Sequence, residues 1–226
     1  MNRKDKIFSA YEKVGILSAL YDSMLTNANF FAQSALNFFW GLSQEDYKKF
    51  LAQMFAGIPE NFSGKLLEIP VGTGILSLPV YKKISNAEIF CVDYSDKMLS
   101  VAKNHADKIN LRNINFIQGD VGNLKFADET FDLVLSIDGF HAFPEKNSAY
   151  NETFRVLKVG GIFTGCMYVV GENSRTDFFV ENFCNRFGFF TPPHENIESL
   201  RERLQKIYRE VKISHVKSFA GFICIK

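Results

Sequence analysis

The chain has 226 residues, 46% of them hydrophobic, and its 26 basic and 25 acidic side chains leave a net charge of +1. That length allows one substantial domain with a small appendage and a full core. The balanced charge gives no reason to expect nucleic acid as a partner, and no apolar run approaches the ~18 residues needed to span a membrane.

The four cysteines, Cys91, Cys166, Cys184 and Cys224, form no CxxC pair, and the histidines show no ligand spacing, so no metal centre is expected. The opening residues MNRKDKIFSAYEKVG hold no long apolar run. A signal peptide is therefore not expected, and the cysteines read as reduced and mostly buried in a cytoplasmic protein.

Residues 1–62 read as a helical unit without a strong strand. In "LSQEDYKKFLAQMFAG", Ser43 and Asp46 make a capping-box pattern. Tyr47, Phe50, Leu51, Met54 and Phe55 follow as one apolar stripe, and Gly57 suits the stop. From residue 65 the rhythm changes. Apolar runs at 65–69, 87–93, 114–119, 131–137 and 161–170 read as buried strands. Helical patterns at about 75–85, 96–108 and 146–157 separate most of them. Short apolar strands alternating with helices imply a parallel sheet covered on both faces. Residues 195–210 form a charged amphipathic helix, and "VKISHVKSFAGFICIK" reads as two strands around Ala220-Gly221, a closing hairpin with one antiparallel strand.

"LEIPVGTG", residues 67–74, sits between the first strand and the next helix. A glycine turn there places a helix N-terminus over the crevice at the strand's carboxyl end, where free N–H groups meet polar or anionic ligands. Gly72 and Gly74 permit close backbone approach. Pro70 stands where such turns usually carry a first glycine; it cannot donate a ladder hydrogen bond and so marks the strand's end. Asp93 ends the second strand, where an acid can accept from both hydroxyls of a ribose; Ser95 is the alternative cap of the helix that follows. Asp120 ends the third strand. Loop chemistry at three strand ends of one sheet edge points to a ligand site.

These residues resemble the class I S-adenosylmethionine-dependent methyltransferases over roughly residues 40–226. "LLEIPVGTG" is similar to that family's first motif with its first glycine replaced, "CVDYSDKML" to the second, "IQGDVGNLKFADETFDLVLS" to the adenine-binding segment and fourth strand, and "RVLKVGGIF" to the lead into the fifth. The nearest subgroup is the small-molecule methyltransferases like those of quinone biosynthesis. The resemblance implies a three-layer, doubly wound Rossmann-like α/β sheet, mostly parallel with a C-terminal antiparallel hairpin. A helical cap or lid over residues 1–62 would precede a domain over 63–226, with a substrate-covering insertion at about 171–194.

It also implies a set of roles for the cofactor S-adenosylmethionine and its product S-adenosylhomocysteine. Glu68 would brace the loop or reach the methionine part, and Gly72, Thr73 and Gly74 would line the methionine carboxylate and amine. Asp93 would take the ribose, Tyr94 and Met98 would flank the adenine, and Asp120 and Val121 would pair with it. Ile137 and Asp138 would lie near the sulfonium. Pro70 puts one donor of the loop in question. A dinucleotide oxidoreductase would want a third glycine where Ser77 stands, and a non-catalytic SAM-binding protein is the other alternative.

Methyl transfer from a sulfonium needs alignment above all. An acidic acceptor also needs a base, and His141, just past the fourth strand, is the candidate. A ring packed by Phe140 and Phe143 is the competing reading. Two aromatic regions are expected to close an apolar or aromatic small-molecule acceptor pocket. One holds Tyr21, Phe30, Phe31 and Trp40; the other holds Phe178, Phe179, Phe183 and Phe187, with Arg175 available for an acidic group. Residues 1–40 are expected to lie over the acceptor rather than the donor site.

Overall fold

Strands buried on both faces need apolar residues at successive positions, and the runs at 65–69, 87–93, 131–137 and 161–170 supply them. The computed structural model describes residues 3–16 and 18–226; positions 1, 2 and 17 of the expected cap lie outside the described residues. The chain opens with α1 (Arg3–Ile16), α2 (Ser18–Leu25), α3 (Phe30–Trp40) and α4 (Gln44–Phe55). Alternation follows: β1 (Gly64–Glu68), α5 (Leu78–Tyr81), β2 (Ala87–Asp93), α6 (Asp96–Lys108), β3 (Ile114–Gln118), β4 (Phe131–Ile137), α7 (Lys146–Val156) and β5 (Leu157–Tyr168). An insertion carries α8 (Ser174–Phe179), a π-helical turn (Val180–Cys184) and α9 (Asn185–Phe187), before α10 (Ile197–Gln205), β6 (Glu210–Val216) and β7 (Phe219–Ile225).

The strands form one sheet in the order β3-β2-β1-β4-β5-β7-β6. β1 to β5 run parallel, and β7 pairs antiparallel with both β5 and β6. One face packs Leu67, Val134 and Phe163 under Tyr150 of α7 and Leu200 and Leu204 of α10. The other packs Leu66, Leu133 and Leu135 against Tyr81 of α5 and Leu99 and Ala102 of α6. Each such side chain contributes about 1.5–3 kcal/mol by leaving water, so both helical layers are held to the sheet by its alternating faces. All four cysteines are free and buried. Among the described residues no helix is long and apolar enough to cross a membrane.

The capping box forms as read: Ser43 Oγ accepts from the Asp46 N–H at 3.1 Å, and Asp46 Oδ2 accepts from the Ser43 N–H at 3.1 Å. The apolar stripe of α4 then packs Phe50 and Met54 against Tyr168 and Phe219. α4 therefore belongs to the layer covering β5 and β7, which leaves α1 to α3 as the cap.

Two expectations shift. The helix expected over 75–85 is only Leu78–Tyr81, because the glycine turn runs on to Ser77 and Pro79 occupies the first helical turn. The hairpin turns at Lys217 (φ +51°) and Ser218, between β6 and β7, not at Ala220-Gly221. Ala220 and Gly221 lie inside β7, opposite Met167 and Cys166. A Cβ on Gly221 would come within 2.1 Å of Gln53 Cγ, so this glycine admits α4 rather than a turn.

Candidate functional site

Because β1 to β4 run parallel, their carboxyl ends share one edge, and the loops leaving them converge. Glu68 and the turn from Pro70 through Gly72 and Thr73 to Gly74 line a cavity there. So do Asp93, Tyr94 and Met98, Asp120 and Val121, and Ile137 and Asp138.

The glycine turn is a bare backbone cradle. Gly72 (φ +55°) and Gly74 (φ +67°) both adopt the left-handed region. A Cβ on Gly72 would meet nothing within 4 Å, while one on Gly74 would lie 2.7 Å from Leu78 Cδ1. Pro70 follows the end of β1 and packs against the β4 exit, its Cδ 2.4 Å from where a Gly139 Cβ would stand. Asp93 fastens two loops: Oδ2 accepts from the Gly72 N–H at 2.8 Å and Oδ1 from the Ser95 N–H at 2.9 Å. Ser95 also caps α6, its Oγ accepting from Met98 N at 3.3 Å. Ser77, standing where a dinucleotide turn carries its third glycine, points into the core and donates to Glu68 Oε2 at 2.9 Å.

The electrostatics of the cavity are one-sided. Burial pushes Glu68 up to about 8, against the hydrogen bonds it accepts from Ser77 and Cys91. Burial raises Asp93 to about 6, opposed by the backbone donors of Ser95 and Gly72. Asp138 rises to about 7 for the same reason, with only the Cys166 thiol opposing. Among the described residues no Lys, Arg or His lines the cavity. A buried carboxyl without a cation nearby favours its neutral form, so these groups suit a ligand that brings positive charge and donors.

The cap closes over the glycine turn itself, contrary to the expectation that it covers the acceptor alone. Tyr11 and Leu25 share the cavity with Tyr21. Thr73 Oγ1 donates to Asp22 Oδ1 at 2.5 Å, His105 Nδ1 bonds Thr73 O at 2.9 Å, and His105 Nε2 stands 3.5 Å from Asp22 Oδ2. On α1, Glu12 accepts from Ser95 Oγ at 2.7 Å and pairs with Lys97 at 3.1 Å. Short polar side chains on the two loops thus hold both helices down. Nothing local in the sequence marks Tyr11, Glu12 or Asp22; Asp22 meets Thr73 across 51 residues.

His141 does not reach the cavity. It is buried, its Nδ1 accepts the Tyr168 N–H at 3.0 Å, and its ring lies 3.9 Å from Phe190. Burial holds it well below the ordinary histidine range, helped by His194 and Lys146. A neutral ring whose Nδ1 lone pair is already used anchors the end of β5 to the insertion and is not placed to act as a base. Its packing partners are Tyr168 and Phe190; Phe140 and Phe143 pack on each other instead.

The two aromatic regions meet one another. Phe39 lies 4.3 Å from Phe179, and Trp40 packs on Phe179, Phe190 and Phe219. Of the eight aromatic positions singled out in the sequence, only Tyr21 lines the cavity; Phe30, Phe31, Phe178, Phe183 and Phe187 are exposed. Arg175 donates to Asn37 O at 3.1 Å and lies over Phe38, so it serves the α3–α8 contact and not an acceptor.

A family model described as a methyltransferase domain matches residues 63–210. The chain is 27% identical over 152 residues to a 2-methyl-6-phytyl-1,4-hydroquinone methyltransferase of Oryza sativa subsp. japonica, covering 67% of this chain and 43% of that protein. It is 27% identical over 202 residues to a demethylmenaquinone methyltransferase of Staphylococcus saprophyticus, covering 80% and 84%. The chain thus spans less than half the length of the rice relative. A SAM-dependent methyltransferase from Thermotoga maritima shares the fold, with a TM-score of 0.69 at 16% identity over 97% of this chain and 99% of that one. The matched segment carries β1 to β5 and every strand end that builds the cavity, and on that match the chain belongs to the methyltransferase-domain family.

Proposed function

We propose that the protein methylates a small, apolar aromatic acceptor of the hydroquinone kind, with S-adenosylmethionine as methyl donor. The observation that carries this is the cavity at the carboxyl ends of β1 to β4: a side-chain-free glycine edge facing Glu68, Asp93, Asp120 and Asp138, with no lining cation among the described residues. S-adenosylmethionine carries an ammonium, a sulfonium and a ribose diol, and its chemistry matches those groups. It supplies a methyl already activated on positive sulfur, and transfer leaves the neutral thioether S-adenosylhomocysteine.

In this reading Asp93, oriented by two backbone N–H groups, takes the ribose hydroxyls. Gly72, Thr73 and Gly74 hold the methionine carboxylate and amine, and Glu68 lies behind them as the buried acid. Asp120 and the Val121 backbone pair with the adenine between Tyr94 and Met98. Ile137 and Asp138 face the reacting end. Tyr11, Tyr21 and Leu25 roof the cavity, exclude water and give the acceptor side an aromatic wall. The hydroquinone class is supported by the phytyl hydroquinone named for the rice relative, and the related quinone ring by the demethylmenaquinone named for the staphylococcal one.

A ligand that binds only the folded state raises the melting temperature by mass action. S-adenosylmethionine and S-adenosylhomocysteine should both do so, and NAD should not. Demethylmenaquinol should then be methylated in a mass-spectrometric assay. Stabilisation by NAD alone overturns the proposal.

A further inference from the structure

With His141 turned into the core, the cavity's titratable groups among the described residues are carboxyls and tyrosines, and Asp138 is the carboxyl at the β4 exit. Asp138 directly follows β4, the strand between β1 and β5. Its N–H donates to Cys166 O at 3.0 Å, and its Oδ1 accepts from Cys166 Sγ at 3.6 Å. Among the described residues nothing hydrogen-bonds Oδ2, and the residue lines the cavity.

Its backbone is held in an unusual state. Asp138 has φ +50°, in the left-handed region that non-glycine residues seldom adopt. The residue after it is closely enclosed: a Cβ on Gly139 would meet Pro70 Cδ at 2.4 Å and Phe143 Cζ at 2.8 Å, so only glycine fits there. The left-handed turn at Asp138 is followed by this close approach and presents the residue to the cavity it lines.

The titratable groups that act on this carboxyl are Tyr11 from α1, Tyr21 from α2 and Cys166 from β5, and none of them is a cation. Tyr11 donates to Phe189 O at 3.2 Å. Tyr21 lines the cavity, its hydroxyl has no hydrogen bond among the described residues, and burial with nearby Asp138 keeps it protonated.

We propose that Asp138 is the base that takes the acceptor's proton, with the Tyr21 hydroxyl donating to the acceptor oxygen beside it. The acceptor is then a phenol or an equally acidic enol, not an amine. This rests on the methyl-transfer reading and deepens it. An O–H proton of the acceptor passes to Asp138 Oδ2, and its electron pair stays with the acceptor. The methyl group adds to that electron-rich acceptor, at oxygen or at a ring carbon that then loses its own hydrogen. Either way one proton per methyl reaches solvent as the products leave. Enclosure without a cation sets the carboxyl near neutrality, where a base is most effective, and a positive sulfur bound in the same cavity favours its ionised form.

The test compares wild type, Asp138→Asn and Tyr21→Phe. Asparagine tolerates the left-handed region, so the first variant keeps the turn. S-adenosylhomocysteine affinity by calorimetry should change less than about threefold in Asp138→Asn, while single-turnover methylation of demethylmenaquinol falls about 10²-fold or more. The wild-type rate should rise with pH through one inflection, shifted below neutrality by the bound sulfonium, that the variant lacks. Infrared titration of the ligand-free protein should show, beside the bands of Glu68 and Asp93, a protonated carboxyl band that disappears near neutrality and is absent from Asp138→Asn in the wild-type-minus-variant difference. Tyr21→Phe should raise the acceptor KM and leave the inflection in place. An unchanged rate and profile in Asp138→Asn, no carboxyl band lost on that substitution, or a tenfold loss of S-adenosylhomocysteine affinity overturns the assignment. A wild-type protein that binds no S-adenosylhomocysteine, or binds it and methylates no quinol, instead sinks the methyl-transfer reading and the assignment with it.

Discussion

Asp93 does two jobs with one carboxylate. It anchors the glycine turn through Gly72 and the α6 cap through Ser95, and it turns its remaining lone pairs to the cavity. Charge-assisted hydrogen bonds are about twice as strong as neutral ones. Asp93→Ala should therefore cost about 2–3 kcal/mol of S-adenosylhomocysteine binding, roughly 30- to 150-fold. A calorimetric titration with unchanged affinity would reduce Asp93 to a loop clip. Asp93 could be read from the sequence because strand ends on a parallel sheet announce themselves by position. Its two backbone partners could not, since they depend on how the turn after β1 curls back towards β2.

At the scale of elements, the latch between α2 and the glycine turn carries the next prediction. Asp22 touches Thr73 and His105 together. Asp22→Ala should loosen α1 to α3, seen as faster amide exchange over residues 3–40, and should speed S-adenosylhomocysteine dissociation about 5- to 20-fold, the scale of one lost buried hydrogen bond. An unchanged off-rate would mean the cap does not retain the donor. Strands β1, β2, β4 and β5 were legible because doubly buried strands are continuous apolar runs, β3 by its apolar residues although it lies half-buried at the sheet edge, and α4 because its cap and stripe agree. The hairpin turn was not: Gly221 signals a turn by composition but answers to Gln53 on a distant helix. His141 misled for the same reason, since its partners Tyr168 and Phe190 arrive from β5 and the insertion. The cap's hold on the turn is a set of long-range polar contacts between helices whose local patterns record only that they are helices.

For the molecule as a whole, the raised carboxyls link stability to pH. Glu68, Asp93 and Asp138 titrate at about 8, 6 and 7 in the fold, against ordinary values near 4. The folded chain therefore holds protons that the unfolded chain has released. The stability these groups contribute is fully present below about pH 4 and is lost as pH rises towards 8. A cationic ligand reverses the trend, because it favours the ionised forms. The thermal shift produced by S-adenosylmethionine should accordingly grow from pH 5.5 to pH 8, while these groups lower the melting temperature of the free protein over the same range. A shift that shrinks across that interval contradicts the charge matching.

The docking of α3 on α8 joins the N-terminal helices to the segment after β5. Thr176 Oγ1 donates to Phe39 O at 3.0 Å behind the Phe39–Phe179 contact, while α2, just upstream, is tied to Thr73. The N-terminal helices are thus tied at once to the glycine turn and to the segment after β5. If these ties gate release in the proposed methyl transfer, the first turnover should show a burst of about one methyl per site before a slower steady rate. Thr176→Ala, which removes the hydrogen bond to Phe39 O, should then shrink that burst and raise the steady rate, and an unchanged burst in rapid-quench kinetics would separate the α3–α8 contact from release.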